Sequence, residues 1–173
     1  MIVLSHSYGG AVSGEVAVHP KVAGMIFVAS YCLLPGESIA GINEASNPHP
    51  GSPKLSMREG DYTTISRNTA IRSFYNGCRE DDAEAAFTRL TPERFDLALA
   101  RATRSAWRDI PSHYVKCARD EVLSPEVQQM MARRLATSTS IDAGHSPMIS
   151  HPLALAEIVI DQYLLVMEAA RET

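Results

Sequence analysis

Three residues of this chain have the side chains needed to turn a hydroxyl group into a nucleophile: Ser7, Asp120 and His145. A serine hydroxyl attacks poorly until a nearby base removes its proton, and histidine is the usual base. A carboxylate beside the histidine holds the imidazole in one tautomer and stabilises its protonated form. The three residues therefore predict a Ser–His–Asp triad that forms a covalent intermediate on the serine.

Predicted strands stand in front of all three residues: Met1–Leu4 before Ser7, Pro111–Cys117 before Asp120, and Ser138–Ala143 before His145. The first strand is followed by one helix and a second apolar strand, Val22–Ser30, which makes a βαβ unit and a parallel sheet. The carboxyl ends of parallel strands share one edge, where open α/β sheets place their active sites. We therefore expect an α/β fold in which the three side chains meet at that edge.

The stretch SHSYGG fits a sharp turn between the first strand and the helix after it. A nucleophile on such a turn needs small residues two positions to either side, and Ser5 and Gly9 meet this need. The backbone N–H of Tyr8, at the start of the helix, would donate a hydrogen bond to the oxyanion formed in the reaction. The sequence thus predicts an oxyanion donor as well as a nucleophile.

Each feature also has a plain structural alternative. The turn at Ser7 could serve only to pack a helix on a strand, Asp120 could cap the next helix, and the histidine could be a loop residue. Asp142 is a rival carboxylate, but it lies inside a predicted strand three residues before His145. Three such residues in this order, each at a strand end, favour the triad.

Residues 34–108 differ in character from the flanking sequence. They begin with a loop rich in proline and glycine, and helical patterns follow. Helices are predicted from near Tyr62 to Tyr75, over Arg79–Leu90, and from Thr91 onward. An insertion of this length is too long for a loop between strands and predicts a helical cap over the sheet. The core is then formed by residues 1–33 and 109–173.

Aromatic side chains of the predicted cap could line a substrate pocket. Phe74, Tyr75 and Trp107 are the candidates. The alternative is that these rings pack inside the cap and form its own small core.

Composition and charge exclude several classes of protein. The net charge is −4 and the basic residues are scattered, so no nucleic-acid partner is expected. The longest apolar runs are too short to cross a bilayer, so no membrane partner is expected. The three cysteines are far apart and form no C-x-x-C pair, which predicts neither disulfides nor a zinc site and fits a cytoplasmic location. Glycines 9, 10 and 14 lack the spacing of a dinucleotide-binding loop.

The remaining histidines have structural interpretations. His6 is expected to pack beneath the turn at the nucleophile. His151 is expected to start the last helix, since no carboxylate or cysteine at ligand spacing supports a metal site there. The others, interpreted as surface or loop residues, are His19, His49 and His113.

The sequence resembles the α/β-hydrolase superfamily, and within it the branch of plant methylesterases, hydroxynitrile lyases and their bacterial relatives. The resemblance lies in four stretches: VLSHSYGGAV, FYNGCREDDAEAAFTRLTPE, IPSHYVKCARDEVLSPEVQQMMA and AGHSPMISHPLALAEIV. It implies a three-layer α/β-hydrolase fold and carboxylic-ester hydrolysis of a small ester, with no metal or organic cofactor. In the hydroxynitrile lyases of this branch a lysine follows the triad histidine, whereas Ser146 follows it here, which favours hydrolysis over cyanohydrin cleavage.

Two departures from the family pattern accompany the resemblance. Ser5 stands where the turn usually has its first glycine. The family has about four strands before the nucleophile strand, so Met1 is expected to be an internal or misassigned start. The loop that supplies the second oxyanion N–H in the family is then expected to be absent. An exposed half-sheet of this kind predicts a homo-oligomer. The alternative function is that of a catalytically incomplete member acting as a binding or interaction protein.

Overall fold

The computed structural model of the protein describes residues 1–17, 19–46 and 57–169. Within them a four-stranded parallel sheet has the strand order β1-β2-β6-β7. The strands in chain order are β1 (Ile2–His6), β2 (Gly24–Val28), β3 (Met57–Glu59), β4 (Tyr62–Thr64), β5 (Glu93–Arg94), β6 (Ser112–Cys117) and β7 (Thr137–Ile141). The helices are α1 (Gly9–Val16), α2 (Ile39–Ala45), α3 (Arg67–Ser73), α4 (Glu80–Phe87), α5 (Pro125–Ala132), α6 (Pro147–Ser150) and α7 (Pro152–Ala169).

Strand β2 is buried along its whole length because helices cover both faces of the parallel sheet. Alternate side chains point to opposite faces. Met25 and Phe27 join the larger hydrophobic cluster together with residues of α5. Ile26 and Val28 join the second cluster, where Leu155 of α7 packs. The predicted α/β fold with a parallel sheet and helices on both faces is thus confirmed.

Strand β1 lies at the edge of this sheet, and no described strand pairs with its other side. Leu4 is 49% exposed on it. In the part of the chain that the structure describes, no helix combines the length and the apolar character needed to cross a membrane.

The segment 34–108 contains more varied structure than the predicted helical cap. The helix predicted from near Tyr62 is wrong at its start, because Tyr62–Thr64 forms strand β4, paired with β3 and β5. Its β-branched and aromatic residues favour a strand, and the positive φ of Gly60 makes the hairpin turn. The helix proper, α3, begins only after Ser66, whose hydroxyl accepts a hydrogen bond from the Thr69 N–H.

Two further predictions for this segment need correction. Helix α2 lies within the predicted loop, and Ser38 caps it by accepting from the Gly41 N–H. The helix predicted after Thr91 is a two-residue strand followed by a 3₁₀ turn over Phe95–Leu99.

Helix α4 confirms the prediction over Arg79–Leu90. Residues 47–56 of the predicted loop lie outside the described residues, and the division into core and cap stays a prediction.

A half-buried ion pair ties α5 to the segment that follows β2. Arg134 Nη1 and Nη2 donate to the two carboxylate oxygens of Glu37 at 2.5 and 2.8 Å, and Nη1 also donates to Cys32 O at 2.7 Å. Burial alone raises the pKa of Glu37, but hydrogen bonds from Arg134 and the Leu34 N–H outweigh it and hold the pKa below its ordinary value. The ionised pair therefore stabilises the folded state at neutral pH.

Replacing Arg134 by alanine is expected to lower the free energy of unfolding by about 2 kcal/mol, since hydrogen bonds to charged groups contribute in that range. Because the folded-state pKa of Glu37 is lowered, the difference in unfolding free energy between wild type and Arg134→Ala should be largest at neutral pH. It should disappear as the pH falls through that pKa. Urea unfolding at several pH values measures this. The exposed neighbour variant Arg133→Ala is the control, and an equal loss of stability in it would contradict the assignment.

Candidate active site

Ser7 sits on a strained turn between β1 and α1. Its φ is 51°, a left-handed conformation that is costly for a residue with a side chain and is often found at functional positions. The Ser7 carbonyl accepts hydrogen bonds from the Gly10 N–H at 3.2 Å, the Ser30 hydroxyl at 2.7 Å and the Tyr31 N–H at 3.3 Å. The end of β2 therefore holds the turn in place.

Helix α1 lies very close to this support. A Cβ atom on Gly10 would be 2.1 Å from Ser30 Oγ and 2.7 Å from Tyr31 O, so only glycine fits there. The departure from the family pattern at Ser5 is also accommodated, because its hydroxyl donates to Ser13 Oγ of α1 at 2.7 Å. Both contacts fix the helix that begins at the nucleophile.

Asp120 and His145 form a buried pair. The two side chains are 0% and 3% exposed, and His145 Nδ1 lies 2.9 Å from Asp120 Oδ2. The other carboxylate oxygen accepts from the N–H groups of Val122 and Leu123 at 2.7 and 3.0 Å. A hydrogen bond from Nδ1 leaves Nε2 as the acceptor nitrogen of the neutral ring. The pair thus has the arrangement of a general base with its orienting acid.

His6 connects His145 to the turn that carries Ser7. Its Nε2 donates to the backbone carbonyl of His145 at 2.7 Å, and the two rings lie 4.6 Å apart between centroids. Burial, and next the charge of His145, lower the pKa of His6 to about 4, against the opposing effects of its backbone hydrogen bond and of Asp120. His6 is therefore neutral at pH 7. The sequence prediction placed it beneath the turn and missed its contact with the base.

This lowered pKa predicts a specific pH dependence of stability. Between pH 6.5, the ordinary value, and about 4, the unfolded chain takes up a proton that the folded His6 does not. The free energy of unfolding should therefore fall as the pH is lowered through this window, and His6 should contribute roughly 3 kcal/mol to the decrease. The variant His6→Gln keeps an N–H donor and does not titrate, so its unfolding free energy should change less with pH. Urea titrations between pH 7 and pH 4 measure the difference. The exposed variant His19→Gln should keep the wild-type slope, and a wild-type slope in His6→Gln would refute the prediction.

The structure brings the three predicted triad residues to one edge of the sheet, at the ends of β1, β6 and β7. The contact between His6 and His145 places the base next to the nucleophile turn. Among the described residues no hydrogen bond joins Ser7 Oγ to the His145 ring; such bonds often tighten only when substrate binds. The Tyr8 N–H, likewise, donates to no residue that the structure describes.

The three predicted pocket residues lie in different places. Phe74 is half-buried with its ring centroid 6.0 Å from that of His145. Tyr75 is buried in the small cluster around Ala70. Trp107 does not fit the pocket prediction, because its ring is buried in the main core and its Nε1 donates to Leu33 O at 3.2 Å. Of the three rings, Phe74 is the one that forms a described ring pair with His145.

An apolar groove of about 220 Å³ lies beside Tyr8. Its lining includes Leu33, Ile39 and Leu97, which come from three separate segments. The sequence prediction missed these residues, since a single sequence carries no sign that they converge.

The remaining histidine predictions have mixed outcomes. His113 is not a surface residue, because it lies buried in β6 between two threonine hydroxyls of β7, at 2.7 Å from Thr137 Oγ1 and 3.0 Å from Thr139 Oγ1. His151 directly precedes α7, as predicted, and His49 lies outside the described residues. Residues 1–17, 19–46 and 57–169 hold no group of three or more metal-ligating side chains.

A family model described as the alpha/beta hydrolase family matches residues 2–158. Since this match covers most of the sequence, the chain belongs to the alpha/beta hydrolase family. The probable hydrolase R7 of Phoma sp. is a related protein, 27% identical in an alignment of 172 residues. The alignment covers 93% of this chain and 69% of that protein. The family expected from the sequence is thus confirmed.

Solved structures share the fold at low sequence identity. A pyrethroid hydrolase from Sphingobium faniae JZ-2 aligns with a TM-score of 0.77 and 24% identity, over 92% of this chain and 69% of that one. Polyneuridine aldehyde esterase aligns with a TM-score of 0.73 and 18% identity, over 93% of this chain and 71% of that one. The chain therefore spans about 70% of the length of these proteins.

Proposed function

We propose that the chain carries the active site of a carboxylic-ester hydrolase that acts through an acyl-serine intermediate on Ser7. The observation that supports this most is the buried Asp120–His145 pair at the same sheet edge as the strained turn of Ser7. Family membership gives the hydrolase class. The ester bond as substrate and the roles of the individual residues belong to the proposal.

The proposed reaction begins with the attack of Ser7 Oγ on the ester carbonyl carbon, while His145 Nε2 takes the hydroxyl proton. Asp120 holds the imidazole so that Nδ1 carries the other proton. The Tyr8 N–H donates to the negative oxygen of the tetrahedral intermediate. As the C–O bond of the alcohol breaks, the imidazolium returns its proton to the leaving oxygen.

The acyl-serine is then hydrolysed by the same groups. His145 takes a proton from a water molecule whose oxygen attacks the acyl carbon, and the Ser7 oxygen leaves and recovers its proton. The acid and the free enzyme result, so the cycle consumes one water for each ester. The groove beside Tyr8 has a mainly apolar lining that also includes Glu15 and Arg101, and it is the proposed place for the uncharged part of a small ester.

One observation disfavours lyase chemistry. Ser146, which stands where the lyases of the branch have a lysine, is 4% exposed and donates its hydroxyl to Phe74 O at 2.7 Å. It therefore offers no cation to an expelled cyanide. The binding-protein alternative remains the competitor, and the cytoplasmic location remains a prediction.

A fluorophosphonate probe that reacts with activated serines tests the proposal. Wild-type protein should be labelled, and both Ser7→Ala and His145→Ala should lose labelling and the hydrolysis of p-nitrophenyl esters. Ser138→Ala, an exposed serine on β7, is the matched control and should label normally. Absence of labelling in a folded wild-type chain would instead favour the binding-protein alternative.

A further inference from the structure

Asn76, between α3 and α4, joins the two loops that carry the acid and the base. Its Nδ2 donates to Arg119 O, the carbonyl next to Asp120, at 2.6 Å. Its Oδ1 accepts from the backbone N–H of His145 at 3.1 Å. The sequence predicted only that a helix ends next to this residue, at Tyr75. We propose that Asn76 is a positioning residue that fixes the His145 imidazole against Asp120.

Close packing at Gly144 supports this assignment. A Cβ atom there would lie 2.1 Å from Asn76 O and 2.5 Å from Asn76 Oδ1. The asparagine thus lies directly on the backbone that leads into His145, and the absence of a side chain at Gly144 permits this approach.

The segment that contains Asn76 also holds the residue after the base. Ser146 donates its hydroxyl to Phe74 O at 2.7 Å. The Phe74 ring lies 6.0 Å from the His145 ring, between centroids. Residues 74–76 therefore contact the chain before, at and after His145, that is, at residues 144–146. These contacts restrict both the backbone and the ring of His145.

A second connection between the two loops lies at the surface. Arg119 and Asp142 form an ion pair with side chains 55% and 82% exposed, and Arg119 Nη2 also donates to Asp142 O at 2.5 Å. Exposed pairs of this kind contribute little. The Arg119 N–H donates to Ala143 O at 3.0 Å, which joins the loops through backbone alone. The half-buried amide of Asn76 contacts the loops next to the pair itself.

The physical consequence follows from the two hydrogen bonds. Without the Asn76 amide, the His145 N–H and the Arg119 carbonyl must form hydrogen bonds with water instead, and the two loops lose their common partner. A displacement of about 1 Å in a reacting group can lower the rate about 100-fold. Because the Asn76 amide bonds the backbone of the two loops, its loss should displace His145, so turnover should fall while substrate affinity does not.

The test compares three variants. Asn76→Leu has a similar size and neither hydrogen-bonding group, whereas Asn76→Asp keeps the acceptor for His145 and loses the donor. Asn68→Leu is the matched control, an exposed asparagine on α3. We expect kcat per titrated serine to fall about 10- to 100-fold in Asn76→Leu with KM within about twofold, and to fall less in Asn76→Asp. The control should equal wild type.

A second measurement, by NMR, does not require enzymatic activity. It is needed because this inference rests on the proposed function, and it can fail or succeed independently of that function. The His145 Nδ1–H bonded to Asp120 gives a downfield proton signal in NMR, identified by its loss in His145→Ala. It should broaden or shift in Asn76→Leu and stay unchanged in Asn68→Leu. A signal that depends on Asn76 in a chain without hydrolysis supports the positioning role and refutes the proposed function.

The inference is overturned if folded Asn76→Leu keeps both the wild-type proton signal and the wild-type kcat per site. Loss of titratable sites with unchanged kcat per site would also overturn it, because that result marks a purely structural role. Should Asn76→Leu fail to fold, Asn76→Asp decides in the same way, through its kcat and its proton signal.

Discussion

Replacing Asp120 by asparagine is expected to lower kcat for ester hydrolysis about 10⁴-fold with little change in the melting temperature. The asparagine oxygen can still accept from the N–H groups of Val122 and Leu123, as Oδ1 does now at 2.7 and 3.0 Å. Its NH₂ group then faces His145 Nδ1 and forces the proton onto Nε2. The imidazole can no longer accept the hydroxyl proton of Ser7.

The control for this prediction is Asp142→Asn, the rival carboxylate in the sequence. The Asp142 side chain is 82% exposed and pairs with Arg119 at the surface. Its loss should leave kcat within about twofold of wild type, since exposed pairs contribute little. Steady-state kinetics and a thermal melt of both variants make the comparison. Near-normal kcat in Asp120→Asn would remove the acid from the proposed triad.

Replacing Gly10 by alanine is expected to lower the free energy of unfolding by about 3 kcal/mol, the upper end for an inserted methyl group. The new Cβ would lie 2.1 Å from Ser30 Oγ and 2.7 Å from Tyr31 O. Tyr31 O is backbone that cannot rotate away, and the Ser30 hydroxyl already donates to Ser7 O. Helix α1 must therefore move, and it carries the Tyr8 N–H with it, so folded protein should also lose activity.

Gly9→Ala separates this contact from a general effect of glycine replacement. A Cβ atom at Gly9 would have no neighbour within 4 Å. Alanine favours helix over glycine by up to about 1 kcal/mol, so this variant should be as stable as wild type or slightly more stable. Urea denaturation of the two variants provides the measurement. Equal destabilisation of both would mean that α1 does not pack on the end of β2 as described.

The sequence alone predicted the parallel sheet and the polar residues at its edge. The unbroken apolar run of β2 and the helix between β1 and β2 are local patterns, and local patterns set strand type and connection. Prediction was weakest in the segment 34–108. There the strand Tyr62–Thr64 was taken for the start of a helix, because a strand of three residues is too short for its alternation to be read.

The candidate site likewise contains residues that the sequence indicated and contacts that it did not. Ser7, Asp120 and His145 could be proposed from the sequence because their chemistry and their positions after strands can be read along the chain. His113 was misread, since its two threonine partners come from a different strand and only the register of β6 and β7 brings them together. Whether Trp107 lines a pocket or packs in a core stayed open, because its contact with Leu33 joins two segments that are far apart in the sequence.

Thus the sequence by itself determined the family, the parallel arrangement of the sheet and the three residues proposed for the reaction. Only the tertiary structure decided what holds those residues: Ser30 beneath the nucleophile turn, His6 beside the base and Asn76 between the two loops. The physical reason is the range of the interactions. Strand and turn patterns depend on neighbours in the chain, whereas each of these supports is a hydrogen bond between segments that only the folded chain brings together.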